Sequence, residues 1–331
     1  MKKKISLEDN ILVAGASGMA GSAIYKNLIN AGYGNIKNGA KIFNPSRSEL
    51  DYLDIVSVKD WFRENKPSVV IVAAAKVGGI LANANQQADF LLHNIKIQTN
   101  IIETAWENKV NRLLFLGSSC IYPKFCKQPI KEEYLLNGTL EKTNEGYAIA
   151  KITGLKLCEK LKNQYGFDAL SLMPTNLYGP GDNYHPNNSH VVAALIRKFH
   201  KAVLCKEKIV TCWGSGQPRR EFLHVDDLGA AVVFCLENWD TTSDKAPKDS
   251  NGCVLNHLNV GTGIDITIKE LSIKIANLTG YKGEIIWDKS KPDGTPRKLL
   301  DINKIKSLGW ESKISLEEGL SDTINQYLKN I

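Results

Sequence analysis

Tyr147 and Lys151 stand four residues apart, a spacing that puts a phenol and an ammonium on one face of a helix. A free phenol, with a pKa of about 10, carries protons poorly near neutrality, and a neighbouring cation lowers that value by stabilising the phenolate. Such a pair can pass a proton to or from a carbonyl oxygen. By itself the spacing is common on helix surfaces. Upstream, Gly117-Ser118-Ser119-Cys120-Ile121-Tyr122-Pro123 sets hydroxyls and a thiol directly after the apolar run 112–116, and Ser118 with Tyr147 and Lys151 makes an acid-base constellation. His190 follows Pro186-Asn187-Asn188-Ser189 in a polar loop, with Arg197 and Lys198 further along the helix expected from Val191 to Lys201. Free cysteines are most often inert core residues, and Cys126, Cys158, Cys205, Cys212, Cys235 and Cys253 are read that way. Cys120 differs by its position.

These residues need a scaffold, and the first half of the chain supplies its pattern. The β-type run 11–14 leads into Gly15-Ala16-Ser17-Gly18-Met19-Ala20-Gly21, after which Ser22 to Ala31 has helical spacing. Glycines in a turn between strand and helix allow close backbone approach to a pyrophosphate at a helix N-terminus. Residues 41–44 read as the second strand. Where an NAD site usually places a carboxylate at its end, this chain has Asn44, Pro45, Ser46, Arg47 and Ser48, a cation among hydroxyls that suits the 2′-phosphate of NADP. Helical spacing over 56–64 leads to a strand over 68–75, which ends in the small residues Ala73 to Gly79. These would let a cofactor lie against the backbone, or else simply permit tight packing. A long helix over about 89–109 and the strand before Gly117 complete the alternation that predicts a parallel sheet.

The expected fold is therefore α/β, a Rossmann-type doubly wound parallel sheet over 1–180. A smaller, mixed α/β substrate domain follows over 181–331, with some later elements returning to the first. Trp213 and Arg220 fall on segments that read as loops, and residues 240–252 read as an exposed, polar loop.

Composition removes several classes. At 43% hydrophobic and 23% charged, the 331 residues can bury a sizeable core. The formal charge of +7 comes from scattered lysines rather than an aromatic-interleaved patch, which favours anionic small substrates over nucleic acid. Met1-Lys2-Lys3-Lys4 is followed by Glu8, Asp9 and Asn10 where a signal peptide would be apolar, and the longest apolar run, 69–75, is too short for a membrane. Seven cysteines without a Cys-x-x-Cys pair fit a reducing cytoplasm, and the histidines and carboxylates have no metal-ligand spacing.

The glycine turn, Ala73 to Gly79, Gly117 to Pro123, Tyr147 to Lys151, Met173 to Gly179 and Asn188 to Val191 together resemble the extended short-chain dehydrogenase/reductases over nearly the whole chain. Trp213 to Gly216, Arg220 to Asp227 and Lys291 to Lys298 narrow the likeness to the branch acting on GDP-linked 4-keto-6-deoxy sugars. The resemblance implies NADPH-dependent conversion of GDP-4-keto-6-deoxy-D-mannose to GDP-L-fucose, by epimerisation at C3 and C5 and then 4-keto reduction. It implies Cys120 as the base and His190 as the acid on the opposite face. Ser118 would bond the carbonyl, Tyr147 would protonate O4, and Lys151 would also hold the nicotinamide ribose. It extends the NADP(H) contacts from residues 15–21 and Arg47 to Leu116, Gly117, Ser119, Tyr147, Lys151, Pro174, Thr175, Asn176, Leu177 and His190. Lys198, Trp213, Arg220 and Asp293 would contact the GDP-sugar, and a homodimer would form through the two long helices.

Two features bear on these expectations. Related 4,6-dehydratases have an Asp-Glu pair where this chain has Ser119 and Cys120, which counts against dehydration. Bacterial members of the branch can place an arginine in the glycine loop, where this chain has Ala16 and Ser17, so Arg47 must do more to hold the 2′-phosphate. Two other readings fit the same residues: a different NAD(P)-dependent sugar-nucleotide enzyme, and a cofactor-sensing protein without turnover.

Overall fold

The computed structural model describes residues 3–35, 37, 39–186, 188–291 and 293–329. Met1 and Lys2 of the basic start, Asn187 before His190, and Pro292 lie outside the described residues.

Strands β1 (Ile11–Ala14), β2 (Ile42–Phe43), β3 (Val69–Val72), β4 (Arg112–Leu116) and β5 (Ala169–Pro174) alternate with helices α1 (Met19–Asn30), α2 (Ile55–Asn65), α3 (Ile80–Asn85), α4 (Gln87–Glu107) and α5 (Glu145–Tyr165). β3 is Val-Val-Ile-Val with every residue buried, the signature of a parallel strand covered on both faces. The sheet order is β2-β1-β3-β4-β5-β9, where β9 is His257–Val260, and every neighbouring pair in it is parallel. Strand order reverses at β1, which has β2 on one side and β3 on the other. The crevice outside the carboxyl ends of β1 and β3 is where such sheets bind ligands. Right-handed crossovers on either side of the reversal put α1 on one face and α2, α4 and α5 on the other. Close approach of α5 to the sheet depends on Gly154: a Cβ there would lie 2.6 Å from the Phe115 ring and 2.8 Å from the Gln98 side chain.

The later elements are β6 (Asn176–Tyr178), α6 (Val191–Leu204), β7 (Ile209–Trp213), β8 (Arg219–His224), α7 (Val225–Asn238), β10 (Asp265–Thr267), α8 (Ile268–Thr279), β11 (Glu284–Asp288), β12 (Arg297–Lys298), α9 (Asn303–Ser307) and α10 (Leu316–Lys329). β8 pairs parallel with β6 and β12 and antiparallel with β10, while β7 pairs parallel with β11. Val192, Ile196, Phe199, Leu271, Ile275 and Leu320 form a second apolar core there. Leu228, Val232, Leu258 and Ile305, from α7, β9 and α9, join the core of the large sheet instead.

Three expectations change. Trp213 and Arg220 lie in strands: β7 is only five residues long and alternates exposed and buried positions, and β8 opens on two half-buried arginines. Within 240–252, Thr241, Ala246 and Pro247 are buried and Asp240 pairs with Lys4, so the segment is partly anchored. Cys205 and Cys253 are exposed, one capping the end of α6 and the other in a turn, while Cys126 is half-buried. Among the described residues no helix is long and apolar enough to cross a membrane.

Candidate active site

The glycine turn joins β1 to α1 under tight constraint. Gly15 has φ +88°, and a Cβ there would sit 2.6 Å from the backbone N of Ala74; a Cβ on Gly21 would sit 2.0 Å from the Gly15 carbonyl oxygen. Gly18 caps α1 without a side-chain bond, and the first turn of the helix has no acidic residue. Its N–H groups therefore face outward with a partial positive charge, and Gly18 has backbone approach room because its own Cβ would meet only the Gly15 oxygen at 3.5 Å. These features fit a dinucleotide pyrophosphate.

The small residues after β3 divide in use. Ala73 and Ala74 admit the glycine turn, whereas Gly79 admits the loop that precedes His190: Gly79 N donates to the Asn188 carbonyl at 3.2 Å, and a Cβ on Gly79 would lie 2.7 Å from the Ser189 oxygen. That packing carries His190, the N-cap of α6, to the crevice end of β3. Its ring keeps contact with solvent, yet the surrounding cleft removes enough water to hold its pKa below the ordinary histidine value. At the end of β2, Arg47 is exposed, and Ser46 donates through both its N and its hydroxyl to Glu49 Oε2 at 2.7 Å. Glu49 is thus engaged in shaping the turn.

The chain leaves β4 through a short 3-10 turn at Ser119–Ile121, where Ser118 Oγ accepts from Cys120 N at 3.3 Å. α5 then brings Lys151 beneath it. Lys151 Nζ donates to the Leu116 carbonyl at 2.8 Å and lies 4.9 Å from the Phe115 ring centroid and 5.8 Å from that of Tyr147. Burial pushes Lys151 down to about 8, partly opposed by the Cys120 charge. Burial also pushes the Tyr147 phenol well above its ordinary value, and Cys120 adds to this. The expected lowering of Tyr147 by Lys151 is therefore not found in this form: the ammonium is tied to the Leu116 carbonyl and desolvation dominates.

Cys120 is only 6% exposed, and burial raises its thiol pKa. Four contributions oppose that rise: the Lys298 cation first, then the Ser118 hydroxyl, then Lys151, and last the backbone N–H of Cys120 itself. Lys298 was not singled out as a site residue from the sequence. It lies on β12 in register with Arg220 of β8, and only this strand pairing brings it towards the turn after β4. Its place in the run Lys291 to Lys298 was the one available signal.

On the opposite wall, Lys198 Nζ donates to the Thr211 carbonyl at 2.7 Å, and Trp213 is 57% exposed with Lys291 Nζ 5.8 Å from its ring centroid. Arg220 has its pKa lowered by burial, with Glu141 and Asp293 pulling the other way. Both oxygens of Asp293 are engaged: Ser215 donates from N at 2.7 Å and from Oγ at 2.8 Å, so this carboxylate shapes the turn after Trp213. Between the walls, Pro174 ends β5 and Asn176 begins β6. Thr175 N donates to the Val260 carbonyl at 3.0 Å, and Asn176 Nδ2 to that of Glu221 at 2.8 Å.

Residues 11–251 match the model of the NAD dependent epimerase/dehydratase family. The chain belongs to this family. Within it, the chain is 51% identical to the GDP-L-fucose synthase of Escherichia coli (strain K12), over 98% of both chains. It is 50% identical to GDP-L-fucose synthase 1 of Arabidopsis thaliana, over 97% of this chain and 94% of the relative. Among solved structures, a GDP-mannoheptose C4 reductase from Campylobacter jejuni with NADP bound superposes at a TM-score of 0.86, with 36% identity over 98% of this chain and 99% of that one. The chain is an enzyme. Among the described residues no cluster of histidine, cysteine and carboxylate side chains could hold a metal ion.

Proposed function

We propose that the chain converts GDP-4-keto-6-deoxy-D-mannose to GDP-L-fucose with NADPH. The observation that carries this reading is the placement of Cys120, which shares the turn of Ser118 and the charge field of Tyr147, Lys151 and Lys298. The first half of the chain, 1–180 with the elements that return to its sheet, holds the cofactor, and 181–331 holds the nucleotide sugar. The 2′-phosphate end falls to Arg47, the pyrophosphate to residues 15–21, and the nicotinamide end to Leu116, Gly117, Ser119, Lys151 and residues 174–177. Bound NADPH supplies the hydride for C4.

The residues then divide the work. Ser118 and Tyr147 bond the 4-keto oxygen, which makes the hydrogens at C3 and C5 acidic. Cys120 removes each of them as thiolate, a form that Lys298 and Lys151 favour, and His190 returns a proton on the opposite face. Tyr147 finally protonates O4, with Lys151 compensating the transient phenolate. Lys198, Trp213 and Arg220 hold the GDP part, Arg220 through a forked cation to phosphate, and Asp293 supports that wall. We place the enzyme in the cytoplasm as a homodimer through α4 and α5.

Incubation with GDP-4-keto-6-deoxy-D-mannose and NADPH in D2O should consume NADPH and give GDP-L-fucose carrying deuterium at C3 and C5. A product reduced at C4 without deuterium at those carbons would leave a plain C4 reductase. No NADPH consumption would sink the reading altogether.

A further inference from the structure

Cys120 must meet two carbons of a sugar ring from a short turn, and the far end of that turn is held by a buried polar chain that the mechanism above does not use. Tyr122 is buried two residues beyond Cys120, and its hydroxyl donates to Asn259 Oδ1 at 2.6 Å. Asn259, fully buried on β9, donates from its backbone N to Glu132 Oε1 at 2.9 Å and from Nδ2 to the Ile130 carbonyl at 2.9 Å and the Asp301 carbonyl at 3.2 Å. Glu132 is 2% exposed, and its own carbonyl lies 3.3 Å from His257 Nε2. A carboxylate side chain placed so deep, on a backbone N–H that sheet geometry would otherwise leave to a neighbour or to water, has a cost that calls for a reason.

We infer that Glu132, through Asn259 and Tyr122, is a positioning residue for Cys120 and so governs epimerisation more than hydride transfer. The asymmetry follows from the chain order. Ser118 is fixed from the β4 side, where Gly117 N donates to the Leu172 carbonyl at 2.9 Å, and Lys151 is fixed by the Leu116 carbonyl. Cys120 lies inside the turn, whose exit is held at Tyr122. Releasing Tyr122 displaces Cys120 and loosens its N–H from Ser118 Oγ, while the backbone at Gly117 and the Lys151 ammonium keep their own supports. Misplacement of a reacting group by about 1 Å can cost as much as about a hundredfold in rate.

The inference rests on the proposed epimerase/reductase reading, and two assays separate them. Deuterium entry at C3 and C5 of GDP-4-keto-6-deoxy-D-mannose, in D2O with NADP+ present, reads the Cys120 chemistry alone. Single-turnover reduction of NADP+ by GDP-L-fucose reads hydride transfer at C4 alone. In Glu132→Ala and Tyr122→Phe the first rate should fall about tenfold or more and the second less than about threefold, whereas Glu132→Gln, which keeps an acceptor for Asn259 N, should recover most of the exchange. Tyr122→Phe keeps the ring in the core and guards against a Glu132→Ala chain that fails to fold. An equal fall in both rates, or an unchanged ratio in the folded variants, overturns the inference alone. A wild-type enzyme that exchanges neither carbon overturns the functional reading and this inference with it.

Discussion

The two walls of the crevice are built on different terms. β3 and β4 are buried at every residue, and the groups they present are backbone atoms and short side chains held by the sheet itself. β7 on the other wall alternates exposed and buried residues and ends in Trp213, which is more than half exposed. The first wall fixes reacting atoms with little room for adjustment. The second offers long side chains: Trp213, which is exposed, and Lys198 and Arg220, which are half-buried. Substitutions on the first wall should therefore act on rate and stability together, and those on the second on binding alone.

The largest effect is expected at Tyr147. Tyr147→Phe should lower hydride transfer about a hundredfold or more while deuterium exchange at C3 and C5 persists; equal loss of both would mean that the two chemistries share one acid. Gly15→Val comes next. It forces a β-branched side chain to φ +88° against the Ala74 backbone, and urea unfolding should show a loss of about 2–4 kcal/mol. A change below about 0.5 kcal/mol would show that the turn is softer than the buried wall implies.

The buried support behind the Cys120 turn should also give a pH signature. Burial raises Glu132 from the ordinary 4.5 to about 7, with Asp301 adding to the rise and the backbone N of Asn259 and Lys304 opposing it. The folded chain keeps this proton between those pH values after the unfolded chain has lost it. This contribution is thus full below about 4.5 and is lost as pH rises towards 7, by up to about 1.4 kcal/mol per pH unit. Comparing wild type with Glu132→Gln by chemical denaturation at several pH values isolates it, since the variant should lack that slope. The smallest effect is expected on the open wall. Arg220→Lys should raise KM for the GDP-sugar about tenfold through loss of the forked contact, with kcat and unfolding midpoint nearly unchanged. A fall in kcat of the same size would mean that the open wall also orients the reacting carbons.

The same contrast decides what the sequence disclosed. β1, β3 and β4 are short apolar runs beside glycines, and Tyr147 and Lys151 are a local spacing, so the large sheet, its switch point and the acid-base pair could be read directly. Trp213 and Arg220 read as loop because β7 is only five residues long after the charged run 206–208, and β8 opens on Arg219 and Arg220 directly after the turn-rich run 214–218. Lys298 reaches Cys120 only through the pairing of β12 with β8, which no local pattern encodes. The raised Tyr147 pKa was missed for a related reason: spacing reports that a lysine is near, whereas desolvation depends on everything else that surrounds the ring.

Thr175 alone separates β5, in the large sheet, from β6, in the small one. Its N–H is tied to β9 and its hydroxyl donates to the Glu221 carbonyl of β8 at 3.2 Å. A joint one residue long and fastened to both sheets has almost no slack, so the crevice cannot gape there. Any sliding of one sheet against the other must therefore break one of these two bonds.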